Sequence, residues 1–165
     1  MHTLVPSLIL RSWHGDAVFR TPNKSKLHIL HCSERQIVNH PCAFCSLPPD
    51  RILGENDKAI WFQDGFPVSP GHSLLIPKRH VASFFEATAE ERVALFALLD
   101  QAHRAVQEGS APDGFNIGVN VGAAAGQTVP HLHIHLIPRY LGDQEDPRGG
   151  VRKIFPEKAV YWDKD

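Results

Sequence analysis

The sequence has few cysteines, no long apolar run and little net charge, and each shortage excludes a class of protein. Its 165 residues include three cysteines, which is too few, and an odd number, for the disulfide framework of a small secreted domain. No stretch approaches the roughly 20 apolar residues of a membrane-spanning helix. The short apolar run Leu8–Leu10 lacks the basic start and the longer apolar core of a signal peptide. We therefore expect a cytoplasmic protein with no membrane partner.

The charge balance excludes another class. Seventeen Lys and Arg residues against eighteen Asp and Glu residues give a formal charge of -1. Because no global basic field is available to attract nucleic acid, we expect no nucleic-acid partner and only a local phosphate site. Histidine is abundant instead, with 11 residues. At neutral pH an imidazole can be a ligand, a base or a nucleophile, so the histidines are the candidate functional residues.

The hydrophobic pattern predicts an antiparallel sheet and one long helix. A capping box formed by Thr88 and Glu91 predicts a helix over 89–108. Its recurring apolar positions are Val93, Phe96, Leu99 and Val106. Because strands and helices do not alternate, we expect an α+β domain with an antiparallel sheet. Four segments are predicted as strands, the first two as a hairpin-like pair: 59–62, 73–76, 115–121 and 131–137.

The last predicted strand carries the most informative pattern. Alternate side chains of a strand share one face, so His131, His133 and His135 would lie together while the residues between them enter the core. Such a row is a solvated face, a metal site, or a nucleophilic or phosphate-binding row. Three imidazoles in a row spread too far for one tetrahedral ion. A neutral imidazole is a competent nucleophile toward phosphorus, which favours the third interpretation.

A second pattern concerns two of the cysteines. Cys42 and Cys45 have the spacing of half a zinc site. Taken alone, the pair is equally compatible with a redox pair or with two buried thiols. Two ligands do not complete a metal site, so the spacing leaves these alternatives open.

Two segments resemble one known family. Gly126–Arg139, which reads GQTVPHLHIHLIPR, resembles the signature strand of the histidine triad (HIT) superfamily, and Pro70–His80, which reads PGHSLLIPKRH, resembles that family's first conserved block. The resemblance covers about residues 42–139 and is to the Hint and Fhit-like nucleotide hydrolases with a CxxC zinc-type element. It implies a HIT-like α+β fold, an antiparallel sheet with one long helix, and a homodimer. The chain is then divided into an N-terminal extension, a HIT domain and a C-terminal tail: 1–40, 41–142 and 143–165.

The resemblance implies hydrolysis at the α-phosphate of a nucleotide. His133 would attack the phosphorus and form a nucleotidyl-histidine intermediate, which water then hydrolyses. His131 would position the nucleophile, His135 would hold phosphate oxygens and His72 would support the triad. The implied substrates are dinucleoside polyphosphates or nucleoside phosphoramidates with adenine or another purine base. The implied substrate-binding residues are Asp64 for the ribose, Asn120, Gln127 and Thr128 around the phosphate, and Phe44, Leu47 and Phe62 for the base.

The resemblance also implies a structural zinc ion and leaves rival functions. Cys42 and Cys45 would be completed as a Cys₂His₂ site by His80 and His131. The uridylyltransferase branch of the superfamily has Gln at the third triad position, whereas His135 in this chain suits hydrolysis better. The alternatives are a nucleotidyltransferase or phosphorylase, a non-catalytic nucleotide-binding module, and an interaction domain that zinc merely stabilises.

Overall fold

The structure is a computed structural model that describes residues 42–162. The predicted extension at 1–40, and the last three residues of the predicted tail, lie outside the described residues. No helix within 42–162 is long and apolar enough to cross a bilayer. The strands are β1 (Ile52–Glu55), β2 (Ala59–Gln63), β3 (Ser73–Pro77), β4 (Gly114–Gly118) and β5 (Ile134–Arg139), and the helices are α1 (Ala89–Ser110) and the short α2 (Pro156–Ala159).

The five strands form one sheet in the order β1-β2-β3-β5-β4, and all neighbours are antiparallel. The predicted α+β fold, with an antiparallel sheet and one long helix, is therefore confirmed. The predicted pairing of the first two segments is also observed, because β2 pairs with β3 from Ala59 opposite Pro77 to Gln63 opposite Ser73. Strand β1 was missed by the sequence analysis, since its four residues are too short for alternation and its pairing is irregular between Ile52 and Gly54.

Alternating residues divide the sheet into two different faces. One face packs against α1 and forms the main core, and its most buried members are Leu75, Leu95, Leu98, Ile134 and Leu136. The opposite face carries a smaller cluster of Phe62, Leu74 and Ile76, against which Phe44 and Leu47 pack. Because Ile134 and Leu136 point toward α1, His135 between them points to the opposite face. The sheet thus separates α1 from His135.

Helix α1 begins as predicted, but only part of its predicted apolar stripe is buried. The Thr88 hydroxyl accepts a hydrogen bond from the Glu91 N–H at 3.2 Å, and the Glu91 carboxylate accepts one from the Thr88 N–H at 2.8 Å. Val93 and Phe96, predicted to be core residues, are 69% and 50% exposed. That part of the prediction was wrong, because Val93 and Phe96 lie on the neighbouring stripe, whereas Leu99 and Val106 of the same predicted pattern are buried. The buried stripe follows the usual three- and four-residue spacing through Leu95, Leu98, Leu99, Ala102 and Val106.

The histidine segment is also shifted relative to its predicted strand. Strand β5 begins at Ile134, so His131 and His133 precede it. The β4 partner ends at Gly118, three residues before the predicted end. In place of a strand ladder, the Leu132 N–H donates to the Val81 carbonyl at 2.6 Å. The alternation of the sequence continues past the point where the sheet stops pairing.

Candidate active site and metal centre

A cavity of about 580 Å³ opens on the sheet face opposite α1. Eight of the predicted site residues line it: Phe44, Leu47, Phe62, Asp64, His72, Thr128, His133 and His135. The sequence analysis did not single out Arg51, Phe66 or Val68, which also line the cavity. Nothing in the sequence pattern marks these three, because their place at the cavity depends on how the loops before β1 and after β2 fold.

The middle histidine is held with one ring nitrogen available. His133 is 6% exposed, and its Nδ1–H donates to the main-chain carbonyl of His131 at 2.8 Å. The proton of the neutral ring is therefore on Nδ1, and Nε2 keeps its lone pair. The Phe44 ring packs against the imidazole with the ring centroids 5.4 Å apart. This arrangement fixes both the orientation and the tautomer that a nucleophilic imidazole requires.

The third histidine is held in the opposite tautomer. The Val68 N–H donates to Nδ1 of His72 at 3.3 Å, so the proton of the neutral His72 ring is on Nε2. That Nε2–H donates to Nδ1 of His135 at 3.0 Å, which leaves the His135 proton on Nε2. The Asp64 carboxylate lies 3.5 Å from His72 Nε2, and its negative charge favours the proton on that nitrogen. His133 thus offers a lone pair on Nε2, and His135 offers a hydrogen-bond donor on Nε2.

Burial keeps several of these rings uncharged. Burial lowers the pKa values of His72 and His131 below the ordinary value. It also lowers the pKa of His135 to about 4, and the neighbouring His133 and His72 act in the same direction, against the Asp64 carboxylate. The three rings are therefore neutral at neutral pH, where they can donate and accept hydrogen bonds as the tautomers dictate.

Four predicted ligands meet beside the cavity. The ligand atoms of Cys42, Cys45, His80 and His131 all lie within 4.8 Å of one another. Nδ1 of His131 is 3.5 Å from Cys42 Sγ and 3.6 Å from Cys45 Sγ, and Nδ1 of His80 is 3.2 Å from Cys45 Sγ. Zinc bonds of about 2.3 Å to sulfur and 2.0 Å to nitrogen, meeting at a tetrahedral angle, place the two atoms about 3.5 Å apart. The spacing matches a tetrahedral zinc ion.

The chemistry of the donor set fits as well. The Nε2–H of His131 donates to the Pro77 carbonyl at 2.9 Å, so the lone pair is on Nδ1, the atom that faces the two sulfurs. A metal-bound imidazole in proteins is usually oriented by such a bond from its other nitrogen. Two thiolates and two imidazoles are a soft donor set that suits zinc. These four residues would hold the ion and tie the Cys42–Cys45 loop to the segment before β5.

A second cluster of potential ligands does not fit a metal. The ligand atoms of Asp64, His72 and His135 also lie within 4.8 Å of one another. However, the Val68 N–H already uses the His72 Nδ1 lone pair, so Nε2 retains its proton and has no lone pair for a cation. The short distances among these three residues are therefore explained by the hydrogen bond from His72 to His135 and by the nearby Asp64 carboxylate.

Two predicted substrate residues lie elsewhere. Among the residues that line the cavity in the described part of the chain, neither Asn120 nor Gln127 is found. The Gln127 side chain accepts from the Gly122 N–H at 2.8 Å and donates to the Ala82 carbonyl at 2.8 Å. The main-chain N–H of Gln127 donates to the Gly122 carbonyl at 3.2 Å. Gln127 therefore braces the loop that carries Thr128, while Asn120 lies two residues beyond the end of β4.

Comparison with known proteins adds independent information. The family profile described as "HIT domain" matches residues 47–142. An adenylylsulfatase of Arabidopsis thaliana is 36% identical over 110 residues, which span 64% of this chain and 56% of that protein. An AP-4-A phosphorylase of Mycobacterium tuberculosis is 39% identical over 79 residues, which span 47% of this chain and 40% of that protein. Both relatives are enzymes that act on nucleotides.

A solved structure of a zinc-bound protein resembles this fold. A zinc-bound histidine triad family protein from Mycobacterium smegmatis has a TM-score of 0.59 and 34% sequence identity, and the alignment covers 64% of this chain and 80% of that one. The CxxC element lies next to His131 in the present structure, as the sequence resemblance implied. Because the HIT profile matches more than half of the sequence, and the fold and the histidine row agree with it, this chain belongs to the HIT-domain family.

Proposed function

We propose that this protein is a nucleotide hydrolase that cleaves at the nucleoside α-phosphate through a covalent intermediate on His133. The observation that carries the proposal is the tautomer of His133. Its Nδ1–H is bonded to the His131 carbonyl at 2.8 Å, and the ring lines the cavity, so Nε2 is the nucleophilic atom. Two of the relatives, an adenylylsulfatase and an AP-4-A phosphorylase, are enzymes that act on nucleotides, which supports a nucleotide as the substrate.

The proposed reaction has two steps. In the first, the Nε2 lone pair of His133 forms a bond to the α-phosphorus, and the bond from phosphorus to the leaving oxygen or nitrogen breaks. Its electron pair goes to the leaving group, and a leaving nitrogen also takes up a proton from solvent and departs as an amine. In the second, water bonds to phosphorus, the nitrogen–phosphorus bond breaks and the water releases a proton. The products are the nucleoside monophosphate and free His133. The His135 Nε2–H donates to a phosphate oxygen as negative charge accumulates there.

The substrate is proposed to be a purine nucleotide, either a dinucleoside polyphosphate or a nucleoside phosphoramidate. Phe44 and Phe62, with ring centroids 5.5 Å apart, and Leu47 provide an apolar wall for the base. Asp64 would accept hydrogen bonds from the ribose hydroxyls, and Thr128 would lie near the leaving group. Asn120 and Gln127 are proposed to contact the phosphate from outside the residues that line the cavity.

We also propose a zinc ion and a homodimer for this enzyme. Zinc would be held by the Cys₂His₂ set in a structural role, cross-linking the loop before β1 to the catalytic segment. The dimer interface is proposed at β4, because this edge strand has a partner on one side only in the described chain and Ile117 on it is 48% exposed. Phe96 of α1, which is 50% exposed, is a second apolar residue that we propose for the interface. We place the enzyme in the cytoplasm.

A phosphorylase is the second candidate, because one relative is an AP-4-A phosphorylase. In that reaction inorganic phosphate replaces water in the second step, so the product is a nucleoside diphosphate. Product analysis with and without added phosphate separates the two. A nucleoside monophosphate in both cases supports hydrolysis, and a phosphate-dependent diphosphate supports the phosphorylase.

The covalent step is tested by single-turnover mass spectrometry. Wild-type protein, His133→Ala and the control His103→Ala are mixed with diadenosine polyphosphates and an adenosine phosphoramidate. His103 is exposed on α1 and lies outside the cavity lining. A protein adduct of one AMP in the wild type and in the control, but not in His133→Ala, supports the proposal. Nucleotide binding without turnover by the wild type replaces it with a non-catalytic binding function.

A further inference from the structure

The segment that carries the proposed nucleophile has little support from the sheet. His131, Leu132 and His133 precede β5, so no strand ladder fixes their backbone. Their described main-chain bonds are two: the His131 N–H to the Val129 carbonyl at 2.8 Å and the Leu132 N–H to the Val81 carbonyl at 2.6 Å. The position of the His131 carbonyl, which selects the tautomer of His133, must therefore depend on other contacts.

The side chain of His131 supplies those contacts. It is 1% exposed, with Nε2–H on the Pro77 carbonyl and Nδ1 facing the sulfurs of Cys42 and Cys45. The same residue thus offers its ring to the metal centre and its carbonyl to the nucleophile. His80, the remaining candidate ligand, precedes Val81, whose carbonyl accepts the Leu132 N–H. Candidate metal ligands therefore adjoin both ends of the Leu132–Val81 bond, one of the two main-chain bonds that locate this segment.

The cysteine loop connects the metal centre to the substrate cavity. Phe44 lies between the two cysteines in the sequence, and its ring contacts the rings of Phe62, His131 and His133 at centroid distances of 5.5, 5.9 and 5.4 Å. The loop belongs to no strand, and its described main-chain bonds are turn bonds to the Cys42 carbonyl. The main core between the sheet and α1 contains none of these loop residues. Loss of the metal would release the cavity wall and leave the main core in place.

We infer that the Cys₂His₂ centre is a positioning device for His133, and that it supports the proposed reaction and not merely the stability of the fold. Through His131 it fixes the carbonyl that places the proton on Nδ1 of the nucleophile, and through the cysteine loop it fixes Phe44 against that ring. Metal loss therefore disables the nucleophile while the domain remains folded. The inference deepens the proposed function and rests on it for its catalytic part only.

The test uses the full-length chain as wild type, Cys45→Ser and His80→Gln, with Cys32→Ser as the control. Cys32 lies outside the described residues and does not belong to the cluster of four candidate ligands. For each protein, the zinc content, cooperative thermal unfolding, AMP affinity and rate of adduct formation are measured. Long-range ¹⁵N–¹H spectra of the histidine rings report which nitrogen of His133 carries the proton, independently of activity.

The expected result is that Cys45→Ser and His80→Gln lose zinc, unfold cooperatively and show His133 in mixed tautomers. Their adduct formation slows about ten- to hundredfold, as is usual when the support of a site is removed, while Cys32→Ser matches the wild type. Zinc-free variants with an unchanged His133 tautomer and rate would overturn the inference, and so would unfolding of both variants. If the wild type forms no adduct, the proposed function fails, and the His133 spectra still decide whether the metal centre positions the ring.

Discussion

Replacing His72 tests whether the hydrogen-bond chain sets the tautomer of His135. His72→Leu fills a position that is 3% exposed with an apolar side chain of similar size. It leaves both the Val68 N–H and the His135 Nδ1 without their hydrogen-bond partner. An unpaired buried polar group costs about 1 to 3 kcal/mol, so for two such groups we expect a loss of about 2 to 6 kcal/mol in the free energy of unfolding. Urea denaturation measures this loss directly.

The catalytic effect has a separate origin and a separate control. Without the His72 donor, His135 populates both tautomers and offers its Nε2–H to the phosphate only part of the time. If the Nε2–H tautomer is present in about half of the molecules, the cost is about 0.4 kcal/mol, which corresponds to a roughly twofold lower kcat. His72→Gln offers both a donor and an acceptor, so it should restore part of the rate. If His72→Leu leaves kcat and the His135 ring ¹⁵N signals unchanged, the argument from tautomers is wrong.

Three further perturbations test the surrounding structure. Glu91→Gln removes the charge that accepts two 2.8 Å hydrogen bonds from Arg79, and we expect it to lower the free energy of unfolding by about 1 to 2 kcal/mol, since one partner is buried and the other exposed. Because Arg79 holds the pKa of Glu91 at about 2, this difference between variant and wild type should persist at pH 5 and disappear as the pH falls from about 4.5 toward 2, as denaturation at several pH values would show. Gly71→Ala should cost about 1 to 3 kcal/mol, because φ is +82° and the new Cβ would lie 3.1 Å from Val106; a variant as stable as wild type in urea contradicts this. The pKa of His135 is lowered from 6.5 to about 4, so the unfolded chain takes up a proton first and stability should fall as the pH drops through that window. His135→Asn should make that pH dependence shallower, and an equally steep curve would refute the assignment.

Much of the fold could be predicted because its signals are local. The Thr88 and Glu91 capping box defined the helix start, since both bonds join residues three apart. Short apolar runs separated by Gly and Pro residues likewise indicated β2 and β3, whose pairing needs only a short connection. The helix face containing Val93 was wrong because two neighbouring stripes of α1 are both apolar, and only packing against the sheet selects one. The start of β5 was wrong because alternation does not report where hydrogen-bonded neighbours end.

The sequence by itself determined which residues carry the chemistry. The alternating histidines, the CxxC pair and the two HIT-like segments identified the family and the candidate ligands before any contact was known. Only the tertiary structure decided what each histidine can do. The partners that select the tautomers are main-chain groups such as the Pro77 carbonyl, 54 residues from His131 in the sequence, and the Val68 N–H in a loop. Main-chain groups are the same in every residue, so no pattern of side chains reveals where they meet an imidazole.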